Sequence, residues 1–86
     1  MKHTSHPEII TRLKRAHGHL AAVLSMLEEG RACVELAQQL HAVESAISNA
    51  KRELIHDHIE HCLDDTSEAG GSRNALKELK QLAKYL

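Results

Sequence analysis

The sequence predicts an all-α chain of three helices, two long and antiparallel and one short, built to pack as a helical bundle. Three observations carry this prediction. Apolar residues recur in alternating steps of four and three along two stretches, Gly30 is the strong breaker between those stretches, and no segment alternates apolar and polar residues with the period of a strand.

The first helix is expected to start at Ser5-His6-Pro7-Glu8. Ser5 can cap it, Glu8 completes a capping box, and Pro7 is tolerated in the first turn. Ile9, Leu13, Ala16, Leu20, Val23 and Leu27 form its apolar stripe, and Gly30 stops it. Gly18, inside the helix, costs about 1 kcal/mol relative to Ala and is expected to mark close approach of another backbone. Residues 31–68 contain neither Gly nor Pro, and Leu36, Leu40, Val43, Ile47, Ala50 and Leu54 repeat the same spacing. This predicts one long helix reaching Leu63 or Asp64, with Ile55, Ile59 and Cys62 as a neighbouring row. Asp64 to Ser72, with Gly70-Gly71, reads as a loop. Leu76, Leu79, Ala83 and Leu86 predict a short third helix. A tight join at Gly30 folds the two long helices back on each other, and pairs of such hairpins make bundles.

With 86 residues the chain is expected to form one domain, residues 1–86. Tyr85 is its one aromatic residue, so the core must be made of Leu, Ile, Val and Ala. A single core this small seldom supplies more than about 3–5 kcal/mol, so further stability is expected from a second subunit. Eleven basic and 12 acidic residues give a formal net charge of −1, which exerts no global pull on nucleic acid. Contact with DNA would require a local basic patch. No run is as long as a membrane span and the first residues lack a signal-peptide core, so the chain is expected in the cytoplasm with its two cysteines as thiols. No nucleophile–base pair or phosphate-binding loop is present, so an enzyme is not expected.

The chemistry concentrates in three residues. His58 and Cys62 are four apart on a predicted helix, on one face and within reach of one ion. Cys33 is the other thiol, 25 residues before His58. Along an unbroken helix that gap is roughly 37 Å, so Cys33 cannot join His58 and Cys62 of its own chain. It can meet them from a second chain running antiparallel, which places a metal site at a subunit interface. Two thiolates and an imidazole suit trigonal Cu(I), whereas Zn(II) wants a fourth ligand. His3, His6 or His61 could add a nitrogen and shift preference toward Ni(II), Co(II) or Zn(II). Set against this, a cysteine on an amphipathic helix is by default a small core residue. His17, His19 and His41 read as solvated or core-edge side chains.

Arg12, Lys14 and Arg15 cluster on the first helix and Lys51 and Arg52 on the second. Antiparallel packing could bring both groups to one face against DNA phosphates. No helix-turn-helix, zinc-finger or basic-zipper pattern is present. A metal-buffering protein with no DNA role is the alternative from another class.

The segments Thr11-Arg12-Leu13-Lys14-Arg15-Ala16-His17-Gly18-His19-Leu20, Met26 to Cys33, Gln38 to Val43 and Leu54 to Cys62 resemble the copper-sensitive operon repressor (CsoR) family, which includes nickel/cobalt sensors of the RcnR type. The likeness runs from about Pro7 to Cys62 and more weakly through the third helix. It implies three-helix chains assembled as dimers and tetramers that bind operator DNA and release it when inducer binds. Carried over residue by residue, it makes Cys33, His58 and Cys62 the copper ligands, with Cys33 donated across the dimer. It makes Glu78 a carboxylate hydrogen-bonded to the ligand histidine, and Arg12 and Arg52 DNA-facing, with Lys14 and Arg15 near them. Ala32 stands where copper sensors often carry Tyr, and Asn49 stands at a basic DNA-contact position. Nickel and cobalt sensors add an N-terminal histidine, and His3 lies close to that place.

Overall fold

The structure is a computed structural model that describes residues 6–65 and 72–86, with 62–65, 72, 73 and 75 described by backbone alone. Ser5, His3 and the Gly70-Gly71 loop lie outside the described residues. Three helices follow in order: α1 (His6–Glu28), α2 (Cys33–Asp65) and α3 (Ser72–Ala83). Three boundaries differ from expectation. Asp64, Asp65 and Ser72 are helical, which shortens the expected loop at both ends. Leu86 lies beyond α3, whose end relaxes into single turns from Lys84 N–H to the Gln81 carbonyl and from Tyr85 N–H to the Leu82 carbonyl.

The α1–α2 join is built as the sequence requires. Gly30 has φ 74°, its N–H donates to the Leu27 carbonyl, and Arg31 N–H donates to the Met26 carbonyl. This is a Schellman closure, in which only glycine takes the left-handed position without steric cost. The Arg31 guanidinium then spans the turn, bonding Glu35 at 2.8 Å and Glu29 at 3.1 Å. Those bonds, Glu35 first, hold its proton more tightly than usual. At Gly18 an added Cβ would meet nothing within 4 Å, so among the described residues no other element's backbone approaches there.

Only half of each expected stripe is buried. Ile9, Ala16 and Val23 of α1 face Leu36, Val43 and Ala50 of α2, each set spaced by heptads, and Val23, Leu36 and Val43 form the central cluster with Met26. The other half, Leu13, Leu20 and Leu27 on α1 with Leu40, Ile47 and Leu54 on α2, is exposed. The chain measures 59 × 23 × 13 Å. Its thinnest dimension is about one helix diameter, so the hairpin is a single layer that cannot cover both apolar rows by itself. Among the described residues, α3 packs on α2 and not on α1.

Candidate metal centre and DNA-facing surface

α2 is continuous from Cys33 to Asp65. Cys33 is its first residue and is exposed, while His58 is near its far end. At the helical rise of 1.5 Å per residue the two are about 37 Å apart, so one chain cannot bring them together. The backbone of Cys62 lies one turn beyond His58, and its side chain lies outside the described residues.

His58 is half-buried and points toward α3. Leu79 and Leu82 half-bury themselves as α3 docks, and this sets Glu78 over the end of α2. His58 Nε2 lies 3.2 Å from Glu78 Oε2. The pair opens onto a cleft of about 400 Å³ lined also by Gln81, Leu82, Lys84 and Tyr85. With Nε2 beside a carboxylate, a metal held by this ring would be met by Nδ1. Such a partner fixes the orientation and tautomer of a ligand imidazole.

His6 and His61 are gathered elsewhere, around Asp57. His61 Nε2 is 3.6 Å from Asp57 Oδ1 and His6 Nε2 is 3.8 Å from Asp57 Oδ2. Asp57 is 8% exposed, the one charged residue in the core among those described. Sequence reasoning missed it, although a signal was there: Leu36, Val43, Ala50 and Asp57 continue a single heptad row. A carboxylate this buried calls for compensating partners, and the two imidazoles lie nearby. Among the described residues, no three His, Cys, Asp or Glu side chains are gathered as a ready-made cage for an ion.

The basic residues divide into two groups. Arg12 and Arg15 line a hollow between α1 and α2 with Ala16, His19, Ala46 and Asn49. Asn49 also borders a second hollow with Glu44, Ser45, Ser48 and Arg52. Three arginines therefore share one surface. Lys14 and Lys51 are exposed and line neither hollow. His19 Nε2–H donates to Gln39 Oε1 at 2.6 Å and ties the two helices beside this surface. His17 and His41 are exposed.

Residues 5–85 match the family model described as metal-sensitive transcriptional repressor. The chain belongs to that family. It is 35% identical over 77 residues to the copper-sensing transcriptional repressor CsoR of Bacillus subtilis (strain 168), covering 90% of this chain and 76% of that protein. It is 37% identical over 76 residues to CsoR of Mycobacterium ulcerans (strain Agy99), covering 88% of this chain and 65% of that one. Among solved structures, the nickel-responsive transcriptional regulator InrS superposes with a TM-score of 0.85 at 30% identity, covering 100% of this chain and 98% of that one. The chain is thus a metal-sensing transcriptional repressor of the CsoR family with the fold of InrS. No helix among the described residues is long and apolar enough to cross a membrane.

Proposed function

We propose that this repressor holds operator DNA in its metal-free form and releases it when Cu(I) is held between subunits by Cys33 of one chain and His58 and Cys62 of another. The observation that carries the proposal is the unbroken α2, which keeps the thiol of Cys33 at the opposite end from His58. Two antiparallel copies bring unlike ends together, and each dimer then gains two equivalent sites. Two thiolates and an imidazole form a trigonal set suited to a soft monovalent ion.

Assembly into dimers, and of dimers into tetramers, follows from the same surface. The chain exposes 6619 Å², whereas a folded monomer of this mass is expected to expose about 5,100 Å². The excess of about 1,500 Å² per chain is what a one-layer hairpin with uncovered heptad rows should show, and it exceeds the roughly 800 Å² per partner that a standard stable interface buries. The protein then acts in the cytoplasm on double-stranded DNA, through Arg12, Arg15 and Arg52, with Lys14 and Lys51 at the margin.

His58 and Glu78 provide the link to DNA. Ligation at Nδ1 fixes the ring, Nε2 fixes Glu78, and Glu78 fixes α3 against α2. An ion that binds this arrangement more tightly than the DNA-bound one lowers DNA affinity by the same factor, about 5–150-fold for a coupling of 1–3 kcal/mol. Anaerobic titration of reduced protein on labelled upstream DNA tests this. One Cu(I) per chain should release the duplex, and Cys33→Ala should bind DNA but no longer release it. Release by Cys33→Ala with Cu(I) would sink the proposal.

A second reading has a specific observation in its favour. His6, Asp57 and His61 are nitrogen and oxygen donors beside the His58 turn, a chemistry that suits Ni(II) or Co(II) better than Cu(I). In that reading His6 or His61, with His3, completes a divalent site on Cys33, His58 and Cys62. A tight Ni(II) complex lost in His6→Ala, with weak Cu(I) binding, would select it.

A further inference from the structure

Arg12 carries two carboxylates on its guanidinium. Nη1 lies 3.0 Å from Glu53 Oε1 on α2, and Nη2 lies 3.2 Å from Glu8 Oε1 one turn back on α1. Among the described residues, Arg15 and Arg52, which line the adjoining hollows, make no ion pair. Arg12 is therefore neutralised from within, while its neighbours are not. The two carboxylates differ. Glu8 is largely exposed on its own helix, whereas Glu53 is half-buried and reaches across from the other helix.

A guanidinium presents the same forked donors to a carboxylate and to a phosphate. Glu53 thus occupies the place that a DNA phosphate oxygen would take on Arg12. We infer that Glu53 is an internal competitor for phosphate at Arg12 and sets how tightly the surface holds DNA. The inference rests on the DNA reading above. A phosphate that takes Arg12 must displace Glu53, so binding at this point is an exchange of anions rather than a simple gain. Any shift of α2 that loosens or tightens Glu53 on Arg12 changes that exchange. Glu53, Asp57 and His61 follow at intervals of four along one row of α2, and Glu53 and Asp57 both hold α1 side chains.

The test is fluorescence anisotropy on a labelled operator-length duplex from upstream of the protein's own gene, over a range of salt. Glu53→Gln should tighten binding by about two- to fivefold, the factor equivalent to one exposed ion pair. It should also steepen the dependence on salt, by up to about one ion. Glu53→Asp, which keeps the charge but withdraws it by a methylene, should tighten binding in the same direction. In an Arg12→Ala background the gain from Glu53→Gln should fall to that of a general charge change, and Glu53→Asp should have no effect, because the competitor acts through that one side chain. Glu44→Gln, which removes an acid from the same surface that is not on an arginine, controls for general charge. A gain from Glu53→Gln no larger than that from Glu44→Gln, or one that persists in full without Arg12, overturns the inference while leaving the DNA reading intact. Salt-independent or absent binding by the unaltered protein overturns both.

Discussion

Subunit complementation isolates the interface site. One variant carries Cys33→Ala and keeps His58 and Cys62. The other carries His58→Ala with Cys62→Ala and keeps Cys33. Because α2 separates Cys33 from His58 by about 37 Å, each site of the proposed dimer would take its first thiol from one subunit and its remaining ligands from the other. Homodimers of either variant then hold no complete site. In a mixed dimer one of the two sites is complete, with Cys33 from the double variant and His58 and Cys62 from the single variant, and the other has lost everything. Random re-pairing of equal amounts makes half of the dimers mixed, so capacity should return to about one quarter of the unaltered value per chain. The assay is anaerobic Cu(I) titration against a competing chelator, before and after the two variants are unfolded together and refolded, with helicity checked by circular dichroism. A mixture that refolds with full helicity and binds no tight Cu(I) would refute the shared site. So would full capacity in the Cys33→Ala homodimer.

Two further outcomes follow from the same geometry. Ile47→Lys places a charge in the exposed α2 row, where Ile47 is 45% exposed within the chain. Sedimentation should show smaller species, and retention of the parent assembly would remove that row from the interface. Glu78→Gln removes the carboxylate 3.2 Å from His58 Nε2. Cu(I) affinity should fall by about 10- to 100-fold, and the metal-induced loss of DNA affinity should shrink; unchanged release at saturating Cu(I) would show that Glu78 carries no coupling.

The heptad steps made the two long helices readable before any coordinates, and Gly30 made their reversal readable, because both depend on local backbone physics. The same steps could not say which half of each stripe would be covered. Leu13 and Ala16 look alike in a periodic pattern, yet only Ala16 is buried, because a two-helix layer has one inner seam and two open faces. The separation of Cys33 from His58 was readable because it needs only helix continuity. Pairings that cross between helices were not. His19 with Gln39, Arg12 with Glu53 and His6 with Asp57 depend on the register of α1 on α2, which no spacing within one helix determines. Glu78 reached the sequence reading through family resemblance alone, and its contact with His58 depends on how α3 docks.

On the proposed reading, those cross-helix pairs let one end of α2 serve two partners at once. Successive residues on a helix point about 100° apart. Asp57 and His58 therefore face different neighbours, Asp57 toward the start of α1 and His58 toward α3. Ligation at His58 would act on the α3 side, while on the α1 side His6 lies beside Asp57, one residue away, and Arg12 pairs with Glu53 one turn back. On the proposed reading, metal and DNA bias the same few turns of α2 from adjacent faces. A rigid helix that rolls slightly to satisfy one set must disturb the other, which is the physical requirement for two ligands to oppose each other. No long relay through the core is needed. The apolar cluster of Val23, Leu36 and Val43 lies toward the other end of the hairpin.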